Sequence, residues 1–295
     1  MSNFHEFPTA ILENDHLRLE YLTTGGPRIV GLSFHGSPNL LADVPDISWD
    51  TSHGKYHPLG GHRLWTSPES VERTYIPDEA GLQIKEIPNG VELTGAQEAG
   101  SGVRKIMRIE LDPVRPVVRL AHTITNGNPV PIGLAAWCIT MFRQGGGVIL
   151  PQPVGNTDAQ GLLANRLLVL WPYTHLQDAR LILRDDLILL HAQPTLPPVK
   201  VGISSTAGWL AYWLEGMLFR KSFDMHPTAS YPDGGCNTEV YCGDRFVELE
   251  TLGPLVSLEP GESTRHGETW VLSEGLDAPF LTSEVNILLD QSNDG

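Results

Sequence analysis

Apolar and polar residues alternate along most of this chain. Residues 16–22, HLRLEYL, place Leu17, Leu19 and Tyr21 on every second position. The turn TTGGP follows, and RIVGLSF (28–34) resumes the alternation. Two such runs around a glycine turn predict a β-hairpin. The same period recurs at 90–96, 105–112, 117–126, 134–142, 179–192, 208–223, 237–252 and 268–274. Each run stops near a Gly, Pro, Asn or Asp, residues that favour turns. Helical periodicity is nearly absent. Only 158–171, DAQGLLANRLLVLW, accommodates a helical turn or two, and it reads equally well as loop plus strand. The pattern predicts an all-β protein, an antiparallel sandwich or barrel. Without a fixed-period repeat a propeller is not expected. Without a Pro/Ser/Gly linker, residues 1–295 are expected to form a single domain.

Composition narrows the function. The formal net charge is −15 and no cluster of Lys and Arg occurs. A nucleic-acid ligand needs such a cluster to displace counterions, so none is expected. An acidic surface also disfavours anionic membranes, whereas a neutral sugar is compatible with it. Cys138, Cys236 and Cys242 form neither a disulfide framework nor a CxxC metal knuckle. The opening residues MSNFHEFPTAILEND lack the basic and apolar regions of a secretion signal, and no apolar run reaches membrane-spanning length. A cytoplasmic protein is therefore expected. No GxGxxG, Walker, HExxH or GxSxG motif is present, so no cofactor is expected.

Three stretches carry candidate chemistry. GGHRLWTSPES (60–70) follows two glycines with His62, Arg63 and Trp65, and Glu69 comes close behind. Glycines permit a tight turn that presents these side chains together. Trp65 serves equally as core. In RFVELETLGPLVSLEPGES (245–263), Glu248 and Glu250 share one strand face and Val247 and Leu249 the other. Like charges on adjacent same-face positions raise the proton affinity of one of them, which suits a general base. The bland alternative is a solvated face. KSFDMHPTASYPDGGCNTEVY (221–241) supplies Lys221, Asp233 and Glu239 as candidate ligand contacts. Asp224 and His226 are expected to be structural or solvated. Asp233, Glu239, Glu248 and Glu250 also make an all-oxygen set suited to a hard cation, although their spacing matches no calcium loop.

GGPRIVGLSF, GGHRLW and ELETLGPLVSLEPGES…ETWVL resemble the galactose mutarotase (aldose 1-epimerase) superfamily, in order, over nearly the whole chain. The resemblance implies a large antiparallel β-supersandwich and a sugar ligand. It makes Glu250, the glutamate of the LET strand, the general base. The family's acid histidine falls on Trp137, which cannot donate a proton to a ring oxygen but can supply an aromatic platform. His62 is then the expected substitute acid, facing Glu250 across a cleft, with Arg63, Trp65, Glu69, Trp137, Lys221, Asp233, Glu239 and Glu248 around the sugar. His122 shares a face with Val118, Leu120 and Ile124 and reads as a core histidine. The implied activity is interconversion of sugar anomers by acid/base ring opening. The alternative is a binding protein that kept the cleft.

Overall fold

The computed structural model describes residues 2–77 and 81–278. They form strands, turns and loops, with no helix among them. One sheet has eleven strands. In spatial order its centre runs Arg28–Phe34, His62–Ser67, Ile132–Phe142, Val247–Leu252, Thr238–Cys242, Val199–Ile203 and the edge strand Leu168–Leu170. The other has ten strands, centred on Val103–Leu111, Val117–Asn126, Ser263–Ser273, Met217–Phe223 and Trp209–Leu214. The pairings are antiparallel. The inner faces meet over an apolar core that includes Leu19, Met107, Phe142, Phe219, Leu249 and Trp270.

The hairpin read from residues 16–34 is Leu17–Leu22 paired with Arg28–Phe34. The alternation at 117–126 marks one strand to the residue. Three longer runs each divide into two strands: Leu181–Leu183 and Leu187–His191, Trp209–Leu214 and Met217–Phe223, Thr238–Cys242 and Val247–Leu252. The breaks fall at turn residues, where Glu215 and Gly216 take positive φ. In 158–171 the helical alternative is not realised: the segment is irregular until the edge strand Leu168–Leu170.

HRLWTS and LAAWCITMF lack clean alternation because both faces of these strands are covered. Every residue of His62–Ser67 is buried, and so are Leu134 to Phe142. The inner face meets the second sheet. The outer face meets an aromatic layer brought by the ribbon Trp49–Thr51 and Gly54–Tyr56. Tyr56 lies 5.7 Å from Trp65, which lies 5.2 Å from Tyr75 and 5.3 Å from Trp137, ring centre to ring centre.

Gly60 and Gly61 are required by close backbone approach. A Cβ on Gly60 would stand 2.0 Å from the Ala42 carbonyl oxygen, and one on Gly61 2.0 Å from that of Ile29. Their φ values, 105° and 71°, are also ones that L residues avoid. The chain then enters the sheet as a strand, and that decides where its side chains go.

Candidate functional site

Register assembles the site. Across neighbouring strands Arg63 pairs with Ile139, Ile139 with Glu250, Glu250 with Glu239 and Glu239 with Gly202. One same-face step away, Met141 pairs with Glu248, Glu248 with Tyr241 and Tyr241 with Lys200. In the other direction lie Trp65, Trp137 and Leu252. All of these side chains project from the outer face, since alternate residues of a strand share a face.

Glu250 and Glu239 are completely buried, and Lys200 is 5% exposed. The Lys200 ammonium bridges them, 2.9 Å from Glu250 Oε2 and 2.8 Å from Glu239 Oε2. It also stacks on Trp137 and Trp171, 4.8 and 4.5 Å from the ring centres. The Trp137 indole N–H donates to Glu250 Oε2 at 2.7 Å. Beside this group Arg63 donates to Glu248 Oε1 at 3.0 Å and covers the Trp65 ring at 4.2 Å. Glu69, which accepts from the Tyr75 hydroxyl, Trp171, Tyr173 and Asp233 are more exposed and rim the buried floor. The face is not the solvated one that ordinary surface glutamates would make.

The carboxylates are unequal. Two acids share one ammonium, which leaves excess negative charge in a desolvated place, so a proton is held there more tightly. Glu250 Oε2 also accepts the Trp137 indole N–H. Glu239 is pushed well above the usual carboxylate range, by burial first and by Glu250 and Asp233 against the pull of Lys200. Burial likewise pushes Glu248 up to about 7 despite Arg63. Both Glu239 oxygens and Glu250 Oε1 are buried without a hydrogen-bond partner among the described residues. A hard-cation site here meets a direct obstacle, since a cation, Lys200, already stands between Glu239 and Glu250.

Two expected members lie elsewhere. His62 was expected to face Glu250. In a strand it alternates with Arg63 and points into the core, on the opposite face of the sheet. Lys221 belongs to the second sheet and points inward as well. Both join a buried polar cluster between the sheets. The Lys221 ammonium is 3.0 Å from Glu268 Oε1 and donates to the Leu249 carbonyl at 3.2 Å. The Thr251 hydroxyl and the Trp270 indole donate to Glu268 at 2.5 and 2.9 Å. His266 Nε2 is 2.9 Å from Thr251 Oγ1, and His62 Nε2 is 2.9 Å from His122 Nε2. His122 Nδ1 faces the His266 carbonyl at 3.2 Å, which makes it the satisfied core histidine expected from its neighbours. His62, His122 and Glu268, and separately Cys138, His266 and Glu268, gather ligand atoms within 4.8 Å. The Lys221 ammonium opposes a further positive charge there. The three cysteines are free and buried.

Burial drives the three histidines toward the neutral form, His266 to about 3. A histidine whose folded pKa lies below its unfolded value near 6.5 supplies stability that is complete above 6.5 and is lost as pH falls toward the folded value. His266→Gln should therefore gain on the wild type by about 1.4 kcal/mol per pH unit between roughly pH 5.5 and 4. Urea unfolding of both proteins across that range reads it. Parallel stability curves would rule out a neutral buried His266.

Lys200, Trp171, Tyr173 and the core Glu268 were missed from sequence. Lys200 had a signal: it is the lone charge in the alternating run PVKVGI. Trp171 and Tyr173 flank a proline and carry no period, so only the fold brings them over Lys200.

No protein-family model and no curated protein matches the chain. Solved structures do. A candidate aldose 1-epimerase from Escherichia coli K12 superposes with TM-score 0.57 at 16% identity, over 91% of this chain and 99% of that one. A galactose mutarotase-like protein from Lactobacillus casei gives 0.55 at 10% identity, over 90% and 100%. A TPR-domain containing protein from Parabacteroides distasonis gives 0.63 at 15% identity over 94% of this chain, which spans 49% of that protein. No helix among the described residues is long and apolar enough to cross a membrane. The two stacked antiparallel sheets and these superpositions give the chain the galactose mutarotase-like β-supersandwich fold.

Proposed function

We propose that the protein is an aldose 1-epimerase-like isomerase that holds a neutral sugar on the outer face of the eleven-stranded sheet. The observation that carries this is the Glu239–Lys200–Glu250 group, in which both Glu239 oxygens and Glu250 Oε1 are buried without a hydrogen-bond partner among the described residues, Glu239 Oε2 meeting only the Lys200 ammonium as an ion pair. Buried acceptors without partners are costly, and sugar hydroxyls are donors. Aromatic side chains around them offer flat surfaces to sugar C–H faces.

Mutarotation needs a base for the anomeric hydroxyl and an acid for the ring oxygen. A carboxyl whose surroundings raise its proton affinity, set beside a second carboxyl, is suited to those roles. Glu250, held by Lys200 and the Trp137 N–H, takes the proton. Glu239, kept protonated by burial, gives one. The ring opens, the C1–C2 bond rotates, and closure on the other face returns both protons. Glu239 replaces His62 as the acid because it shares the face and the ammonium with Glu250.

One observation favours the binding-protein alternative. Glu250 Oε2 already accepts from both Lys200 and Trp137, contacts that would hold the carboxyl in place as a fixed hydrogen-bonding group. Polarimetry on freshly dissolved single anomers of several aldoses separates the readings. The isomerase should exceed the spontaneous rate with at least one of them. Binding with no acceleration of any would leave the binding protein.

A further inference from the structure

Beyond the carboxylate floor, at the end of the same strands, lies a second concavity. Leu167, Ser204 and Asn237 stand two residues beyond Val169, Gly202 and Glu239, one same-face step of about 7 Å along a strand. They help to line a cleft of about 640 Å³, within the size range of small-molecule sites. Its other wall comes from the chain around His226, Ser230 and Tyr231.

The segment Asp233–Asn237 divides cleft from floor and serves both. Asp233 faces the floor, where its charge acts on Glu239 and its Oδ2 lies 3.3 Å from Ser67 Oγ. Gly234 and Gly235 line the cleft. Both have positive φ, and a Cβ on Gly234 would press Val169 of the edge strand at 3.3 Å, and one on Gly235 would press Leu167, just before that strand, at 3.3 Å. Asn237 fixes the floor of the cleft by bonding Ser205 through both ends of its amide, at 2.7 and 2.9 Å.

The chemistry of the two halves differs. The floor has Glu239, Glu248 and Glu250, with Glu69 and Asp233 at its rim. The cleft is lined by no carboxylate, although the chain carries a charge of −15. The side chains of Ser204, Thr206, His226 and Ser230 line it and make no hydrogen bond among the described residues. These hydroxyls and imidazole, with the Arg166 guanidinium held on the Pro153 carbonyl and apolar Leu167 and Met225 beside them, suit a second pyranose: polar groups around its edge, apolar ones on its faces.

We infer that this cleft is a second sugar subsite and that the protein acts on oligosaccharides, with the reducing-end residue over Glu250 and Glu239 and the next residue in the cleft. The inference rests on the sugar reading of the Glu250 face. It adds that a monosaccharide fills half of the site.

Calorimetric titration tests it, with each disaccharide of a panel (maltose, cellobiose, lactose, melibiose) set against its own reducing-end monosaccharide. At least one disaccharide should bind at least about tenfold more tightly, equivalent to about 1.4 kcal/mol. Thr206→Trp and Ser230→Trp fill the cleft from exposed positions outside the carboxylate group. Each should erase that gain and leave monosaccharide affinity within about twofold. Equal affinity for monosaccharide and disaccharide in the wild type overturns the subsite and leaves the Glu250 reading standing. Equal weakening of both sugars in the tryptophan variants also overturns it, because the cleft would not be separate. If no sugar of either kind binds, both readings fall.

Discussion

Glu250→Gln should slow anomer interconversion by roughly 10²–10⁴-fold while sugar binding survives. The amide keeps the shape and can still accept from Lys200 and the Trp137 indole, so the floor stays assembled. What it loses is the capacity to take a proton. Glu239→Gln should produce a loss of the same order, because an amide cannot give up a proton to a ring oxygen. Glu248→Gln should cost much less, since Glu248 is engaged with Arg63. The wild-type rate should fall as pH rises through the raised titration of Glu239, and Glu239→Gln should lose that limb. Full turnover by Glu250→Gln would remove the base from this face altogether. Retained turnover by Glu239→Gln, with loss in Glu250→Gln, would return the acid role to a group outside the pair.

Glu268→Gln should destabilise the protein by about 3–5 kcal/mol, the usual cost of stranding one partner of a buried ion pair. Lys221 is completely buried and would lose its counter-charge between the sheets. The Thr251 hydroxyl would lose a charged acceptor at the same time. Since Thr251 adjoins Glu250 and Lys221 holds the Leu249 carbonyl, the cluster also fixes the strand that carries the carboxylates. Adding Lys221→Met to Glu268→Gln should recover much of the loss, because removing both charges lifts the penalty that removing one creates. Urea unfolding of the two single variants and the double variant completes a thermodynamic cycle. Asp46→Asn, which breaks the exposed pair with Arg245, is the control and should change little. Additive losses from Lys221→Met and Glu268→Gln would show that the pair is not coupled.

How much of this was legible beforehand follows from the geometry of strands. Leu17, Leu19 and Tyr21 against Arg18 and Glu20 suffice for a half-buried strand, because a period of two is a local property of the backbone. The shared face of Glu248 and Glu250 was legible for the same reason. The same rule, applied at residue 62, would have separated His62 from Arg63. It was masked there because HRLWTS is buried on both sides, so polarity no longer reports direction. A residue's face is fixed by its strand, but which faces meet is fixed by register between distant strands. Lys200, Glu239 and Glu250 come from three strands and share one ammonium only through pairings spanning up to 50 positions. The sequence by itself determined the strands, the turns and the alternation of side chains along them, since these depend on neighbours in the chain. Only the tertiary structure decided that Glu239 and not His62 stands beside Glu250, and that His62 and Lys221 are buried with Glu268. Those outcomes depend on which strands lie side by side and on what covers them.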